Sequence, residues 1–203
     1  MEIVISRENP EYWNNIYLIG YMGTGKTSVS KHLSKLLDMP AIELDKVIED
    51  YYGKSIPDIF DDIGEEGFRA VETLVLATAI TGCYVPYDLL KGAVFSCGGG
   101  VPLNETNVVA MQNSGRIVWL TATPETVLAR LTQDAVRDAD RDSANGRPLL
   151  KNKLNLSDIS EMMEIRKPYY EGASDVVIET DGKTPEEIAG EILIALDLIP
   201  TIS

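Results

Sequence analysis

With 203 residues, 44% of them hydrophobic and 25% charged, the chain has the size and composition of one folded domain with a buried core. Eighteen basic against thirty-two acidic side chains leave a net charge of −14, which repels the phosphates of nucleic acids and anionic lipids and argues against both as partners. Cys83 and Cys97 stand in no metal-binding or disulfide spacing and fit a reducing cytosol, while every apolar stretch falls short of the roughly 20 residues of a membrane helix. Residues 1–15 lack a basic region followed by an apolar run and a cleavage site. The expectation is a cytoplasmic monomer with an N-terminal extension over 1–15 and a single domain over 16–203. In so acidic a protein, any arginines that gather must do so for a local reason.

Taken in chain order, short apolar runs alternate with helical patterns, the habit of a parallel sheet covered by helices on both faces. Strands are expected at 16–19, 41–44, 93–96, 117–120 and 175–178, most of them rich in β-branched or aliphatic residues. After the first strand, Val29, Leu33, Leu36 and Leu37 recur at helical spacing. An apolar helix is expected over 68–80, with Gly82 as its stop and Gly115 as the stop of a later one. Thr123-Pro124 opens a further helix. Residues 133–146 then carry almost no large apolar side chain, mix Asp134, Arg137, Asp138, Asp140, Arg141 and Asp142, and run into Arg147-Pro148-Leu149-Leu150. This reads as a mobile flap, with the lid as a whole at 133–150. Near the end, Thr184-Pro185-Glu186-Glu187 is a capping box with proline in the first turn.

The clearest chemistry lies early. Gly20-Tyr21-Met22-Gly23-Thr24-Gly25-Lys26-Thr27 matches the phosphate-loop pattern in full, follows an expected strand and opens an expected helix. Glycines let the backbone curl so that consecutive amides, among them those of Gly23, Thr24, Gly25 and Ser28, point at phosphate oxygens, and the positive end of the helix dipole adds to the attraction. Lys26 is expected to reach the β and γ phosphates of ATP, and the Thr27 hydroxyl to ligand Mg²⁺. The motif leaves the phosphoryl acceptor open among water, a nucleotide and a metabolite.

Four further features fall where a second substrate could meet the γ-phosphate, at the carboxyl ends of the strands. Asp45 follows the second strand, Arg69 lies near the start of a helix, Gly98, Gly99 and Gly100 follow the third strand, and Arg166 precedes Lys167-Pro168-Tyr169-Tyr170. With the phosphate loop, Leu44-Asp45, Ile48-Glu49, Gly53-Lys54-Ser55-Ile56, Phe60, Gly64-Glu65, Phe68-Arg69, Glu72 and Arg147-Pro148-Leu149-Leu150, they make the chain resemble the shikimate kinases from about residue 16 to residue 196. The resemblance implies an α/β fold: a five-stranded parallel sheet flanked by helices, a three-layer sandwich of the nucleoside monophosphate kinase type with a mobile lid. It implies phosphorylation of the 3-hydroxyl of shikimate by ATP within aromatic amino acid biosynthesis. It further implies that Arg69 and Arg166 grip the acceptor carboxylate, that Asp45 orients and deprotonates the attacking hydroxyl, that Arg147 closes onto the transferring group, and that Arg130 stacks on adenine.

The residue chemistry is compatible with these roles. A guanidinium fork donates two parallel hydrogen bonds to a carboxylate, and Glu65 and Glu72, four before and three after Arg69, can flank it on a helix. The triple glycine would admit backbone amides where a Cβ would collide with substrate. Two departures from the family pattern stand out: Glu43 replaces the usual aspartate that helps hold magnesium, and the lid is long, so that Arg137 and Arg141 compete with Arg147. Alternative readings are a kinase for another polyhydroxy acid such as gluconate, a nucleoside monophosphate kinase, or a nucleotide-binding regulatory domain without chemistry. His32 and both cysteines are read as residues without a role in the site.

Overall fold

Apolar side chains of the central strands leave alternately to the two faces of the sheet, and this sets the layers. The computed structural model describes residues 15–81, 92–139 and 155–198. Strands β1 (Asn15–Ile19), β2 (Ala41–Glu43), β3 (Val94–Ser96), β4 (Gly115–Thr121) and β5 (Val176–Glu179) form one parallel sheet in the order β2-β3-β1-β4-β5. Ile16 and Leu18, with Val118 and Leu120, pack under α1 (Lys26–Leu37) and α7 (Pro185–Ala195). Tyr17 and Ile19, with Phe95, Ile117 and Trp119, pack against the helices of the opposite face, α2 (Leu44–Tyr52), α3 (Ile56–Ile80), α4 (Glu105–Gln112) and α6 (Leu156–Ala173). Helix α5 (Pro124–Ala139) leans on α6, where Val127 and Leu131 meet Ile159 and Tyr21 of the phosphate loop. From β1 the chain fills β2 and β3 on one side and β4 and β5 on the other, so the carboxyl ends of the central strands open onto a crevice.

Several boundaries differ from the sequence reading. The first strand begins at Asn15, whose buried amide accepts from the Ala93 N–H and donates to the Tyr17 hydroxyl. Leu44 does not end β2 but starts α2, because Leu44 and Ile48, one turn apart, bury a common helical face. Gly115 stops no helix: α4 ends at Gln112 with Asn113 as its cap, and Gly115 opens β4 with its α-carbon so close to β1 that a Cβ would lie 2.2 Å from the Asn15 carbonyl oxygen. Leu36 is 56% exposed while Val29 and Leu33 are fully buried, so the apolar stripe of α1 is narrower than its leucines suggest. Helix α3 starts twelve residues before Phe68, capped by Ser55 with Pro57 in its first turn, and is broken at Gly64. Its expected stop, Gly82, lies outside the described residues. The expected capping box is present: the Thr184 hydroxyl accepts from the Glu187 N–H and the Glu187 carboxylate accepts from the Thr184 N–H. Residues 133–139 of the expected flap continue α5 as helix, and 140–150 lie outside the described residues. No described helix is long and apolar enough to cross a membrane.

Candidate active site

The phosphate loop leaves β1 through a bend that only glycine can make. Gly20 has φ 138°, and a Cβ there would stand 2.3 Å from the Leu120 carbonyl oxygen of β4. The loop enters α1 through Gly25, left-handed at φ 92° and offering no side-chain cap, so the first amides of a twelve-residue helix are left to an anion. Lys26 Nζ donates to the Gly20 and Tyr21 carbonyls at 2.8 Å each, which folds the ammonium back over the loop. The Thr24 hydroxyl donates to the Tyr21 carbonyl at 2.9 Å. Together these bonds hold the loop from within.

Beside the loop stand three oxygen ligands of a kind a hard cation takes. The Thr27 hydroxyl donates to Glu43 Oε1 at 3.1 Å and lies 3.3 Å from the Ser96 hydroxyl. Parallel pairing sets Glu43 directly opposite Ser96 at the ends of β2 and β3, so strand register brings them to the threonine. The sequence reading missed Ser96; its only signal was its place at the end of a strand, two residues before the triple glycine.

The acceptor side is built around the triple glycine. A Cβ on Gly98 would fall 2.8 Å from Glu72 Oε1 and 2.9 Å from Asp45 Oδ1, so the two carboxylates crowd one point. A Cβ on Gly100 would stand 2.1 Å from Arg69 Nη1. The collision expected with substrate is thus first a collision with the site's own side chains. Arg69 Nη1 donates to Glu72 at 3.0 Å and Nη2 donates to Glu65 at 3.3 Å, as the helical spacing required. Glu72 is only 2% exposed. Burial raises its pKa above the usual range, and the nearby Asp45 charge adds to this against the opposing pull of Arg69. Arg166, 7% exposed, lies with its guanidinium carbon 5.6 Å from the centre of the Tyr21 ring.

The far wall carries Arg130, whose guanidinium donates to the Gly23 carbonyl at 3.2 Å and to the Thr180 hydroxyl and carbonyl at 3.0 and 2.7 Å. It therefore ties the phosphate loop to the segment before α7. Lys183 of that segment and Pro185 at the start of α7 also line the crevice; the sequence reading named Pro185 only as capping chemistry and did not name Lys183. Asp181 nearby accepts from the Thr123 backbone and hydroxyl. Burial alone would raise its pKa, but hydrogen bonds from Thr126 and Thr123 outweigh it and leave the carboxyl below the usual range.

Gly23, Thr24, Gly25, Lys26, Thr27, Ser28, Glu43, Asp45, Arg69, Gly98, Gly99, Gly100, Arg130 and Arg166 all line one cavity of about 680 Å³. Arg147, like Arg141, lies outside the described residues; Arg137 is on the last turn of α5. His32 stands off the cavity, its Nδ1 3.0 Å from the Ser28 carbonyl on α1. Cys97 is buried beneath the glycine turn with Sγ 4.0 Å from Met111 Sδ, and burial pushes its thiol pKa well up. Cys83 lies outside the described residues.

The family model described as shikimate kinase matches residues 22–197. The shikimate kinase of Enterococcus faecalis is 36% identical over 180 residues, covering 88% of this chain and 96% of that one. That of Caldicellulosiruptor bescii is 38% identical over 184 residues, covering 91% and 95%. Among solved structures, the Acinetobacter baumannii shikimate kinase in complex with shikimate superposes with a TM-score of 0.77 at 33% identity, covering 95% of this chain and 97% of that one. A phosphate loop at the head of α1, a five-stranded parallel sheet in this order and matches of this extent all agree: the chain belongs to the shikimate kinase family of ATP-dependent kinases.

Proposed function

We propose that this cavity seats ATP on the phosphate loop and shikimate against Asp45, Arg69, the triple glycine and Arg166, and that it yields shikimate 3-phosphate and ADP. The observation that carries the reading is the convergence, in one cavity, of a lysine-bearing phosphate loop with a carboxylate and two arginines held on other elements. Arg69 and Arg166 suit the acceptor carboxylate by charge and fork geometry. Asp45 then faces the ring hydroxyls, accepts the proton of the attacking one, and returns it to solvent after transfer. The new bond joins the 3-oxygen to the γ-phosphorus, and the bond from γ-phosphorus to the bridging oxygen breaks, leaving ADP. Lys26 and the loop amides neutralise charge on the transferring group. Arg130 walls the nucleotide end. Arg147 is assigned to the lid on its Arg-Pro-Leu-Leu context, with Arg137 and Arg141 as its competitors.

Magnesium fits the donors present. Thr27, Ser96 and Glu43 offer oxygen only, and Mg²⁺ asks for few protein oxygens because it keeps waters and phosphate oxygens. The contact between Thr27 and Glu43 at 3.1 Å supports the view that the longer carboxylate still reaches. When bound, the ion offsets charge on the β and γ phosphate oxygens. We further propose a cytosolic monomer, which sedimentation of the purified chain tests.

The deciding experiment offers shikimate with MgATP and looks for the 3-phosphate, with gluconate and nucleoside monophosphates as comparison acceptors and chelation as the metal control. Asp45→Asn should lower kcat by roughly 10²–10⁴, the usual weight of a general base. Arg69→Ala should raise the acceptor KM by the equivalent of roughly 2–5 kcal/mol, the cost of breaking a desolvated charge pair. Wild-type turnover by Asp45→Asn would exclude the assigned base. Replacing Arg137, Arg141 and Arg147 in turn identifies the arginine that serves turnover.

A further inference from the structure

Of the two tyrosines that follow Arg166 in the motif, Tyr169 is half exposed and Tyr170 is buried. Tyr170 follows Arg166 by one helical turn on α6, which sets both side chains on one face. Its hydroxyl donates to the Gly99 carbonyl at 2.8 Å. The same phenol lies against the Arg166 guanidinium. Burial pushes its pKa up to about 12, with the arginine opposing the rise, so it remains a protonated donor at neutral pH. A Cβ on Gly99 would stand 3.4 Å from Arg166 Nη1 and 3.7 Å from the Tyr170 hydroxyl, so the glycine, the arginine and the phenol meet at one spot. The guanidinium also faces the Tyr21 ring. The Tyr170 ring is backed in turn by Trp119 of β4, with centroids 5.8 Å apart.

A guanidinium on a long side chain has many rotamers, and gripping a carboxylate with both arms requires one of them. Here α6 supplies the arginine, the glycine turn after β3 the carbonyl that anchors the phenol, and the phosphate loop the ring facing the guanidinium. We infer that Tyr170 and Tyr21 are positioning residues that hold the Arg166 guanidinium in the one direction that meets the acceptor carboxylate. The inference rests on the reading of Arg166 as the partner of that carboxylate.

The test measures kcat and both KM values for Tyr170→Phe, Tyr21→Leu, Tyr21→Phe, Arg166→Ala and the double variant Arg166→Ala with Tyr170→Phe, alongside thermal unfolding of each. Tyr170→Phe keeps the ring on Trp119 and removes only the hydroxyl. It should raise the acceptor KM about tenfold, the weight of one hydrogen bond, while kcat and the ATP KM stay within about twofold. Tyr21→Leu should shift the acceptor KM in the same direction, and Tyr21→Phe, which keeps the aromatic face, should restore it. In the double variant the tyrosine substitution should add nothing to Arg166→Ala, because its effect passes through the arginine. An unchanged acceptor KM in Arg166→Ala would overturn the reading of the site itself. Should Arg166→Ala weaken the acceptor while Tyr170→Phe and Tyr21→Leu leave its KM untouched, or should the tyrosine effect persist in full without the arginine, the positioning role is overturned and the site stands. If Tyr170→Phe does not fold, the Tyr21 pair decides alone.

Discussion

Glu72 is buried, yet it must be an anion to hold Arg69, and the cost of that charge is written into its raised pKa. The folded chain therefore keeps a proton on Glu72 at pH values where the unfolded chain, with the usual glutamate value of 4.5, has released it. Stability from this group is fully present below 4.5, falls as pH rises through the raised folded value, and is level above it. Comparing the wild type with Glu72→Gln by denaturant unfolding across this range should show the wild type losing ground to the variant as pH rises. A pH-independent difference would mean that Glu72 titrates normally. At this scale the sequence told which side chains carry charge and which motifs hold them, because the phosphate loop and the arginine spacings are local. It was silent on Ser96, Tyr21 and Tyr170, since each gains its place from contacts between elements: β2 against β3, the loop against α6, and α6 against the glycine turn after β3.

Helix α3 is one element by hydrogen bonding and two by direction. Gly64 interrupts it at φ 67° and ψ −179°, a conformation essentially confined to glycine. A Cβ there would meet no atom within 4 Å, so the demand is one of backbone conformation and not of space. Gly64→Ala should cost about 1–3 kcal/mol in stability. Because Glu65 and Arg69 follow the bend, it should also raise the acceptor KM; urea titration together with steady-state kinetics reads both, and full wild-type stability would show that the bend is free of strain. Caps such as Ser55, Asn104 and Thr184 were readable in principle from residue type and spacing, and the last was read. The bend was not, because a glycine within an apolar periodic run signals no particular angle. Leu44 was misassigned for a related reason: a short apolar run fits the end of a strand as well as the start of a helix until its partner Ile48 is seen to share its face.

Across the whole molecule, five strands in parallel were legible from the alternation of apolar runs and helices, but the order β2-β3-β1-β4-β5 was not. Strand order is fixed by which faces the helices cover and by right-handed crossovers, and no local pattern records either. The same arrangement drives β3 into the protein's interior with Cys97 just beyond its end, 2% exposed at the floor of the cavity and with its thiol held protonated. Thiol reagents attack the thiolate of an accessible sulfur, so Cys97 should stay silent until the sheet itself comes apart. In a Cys83→Ser background, its labelling rate would be a clock for global opening. ATP and shikimate together should slow that clock in proportion to their joint occupancy. Fast labelling in water would mean that the sulfur is reached from the cavity floor without opening of the sheet.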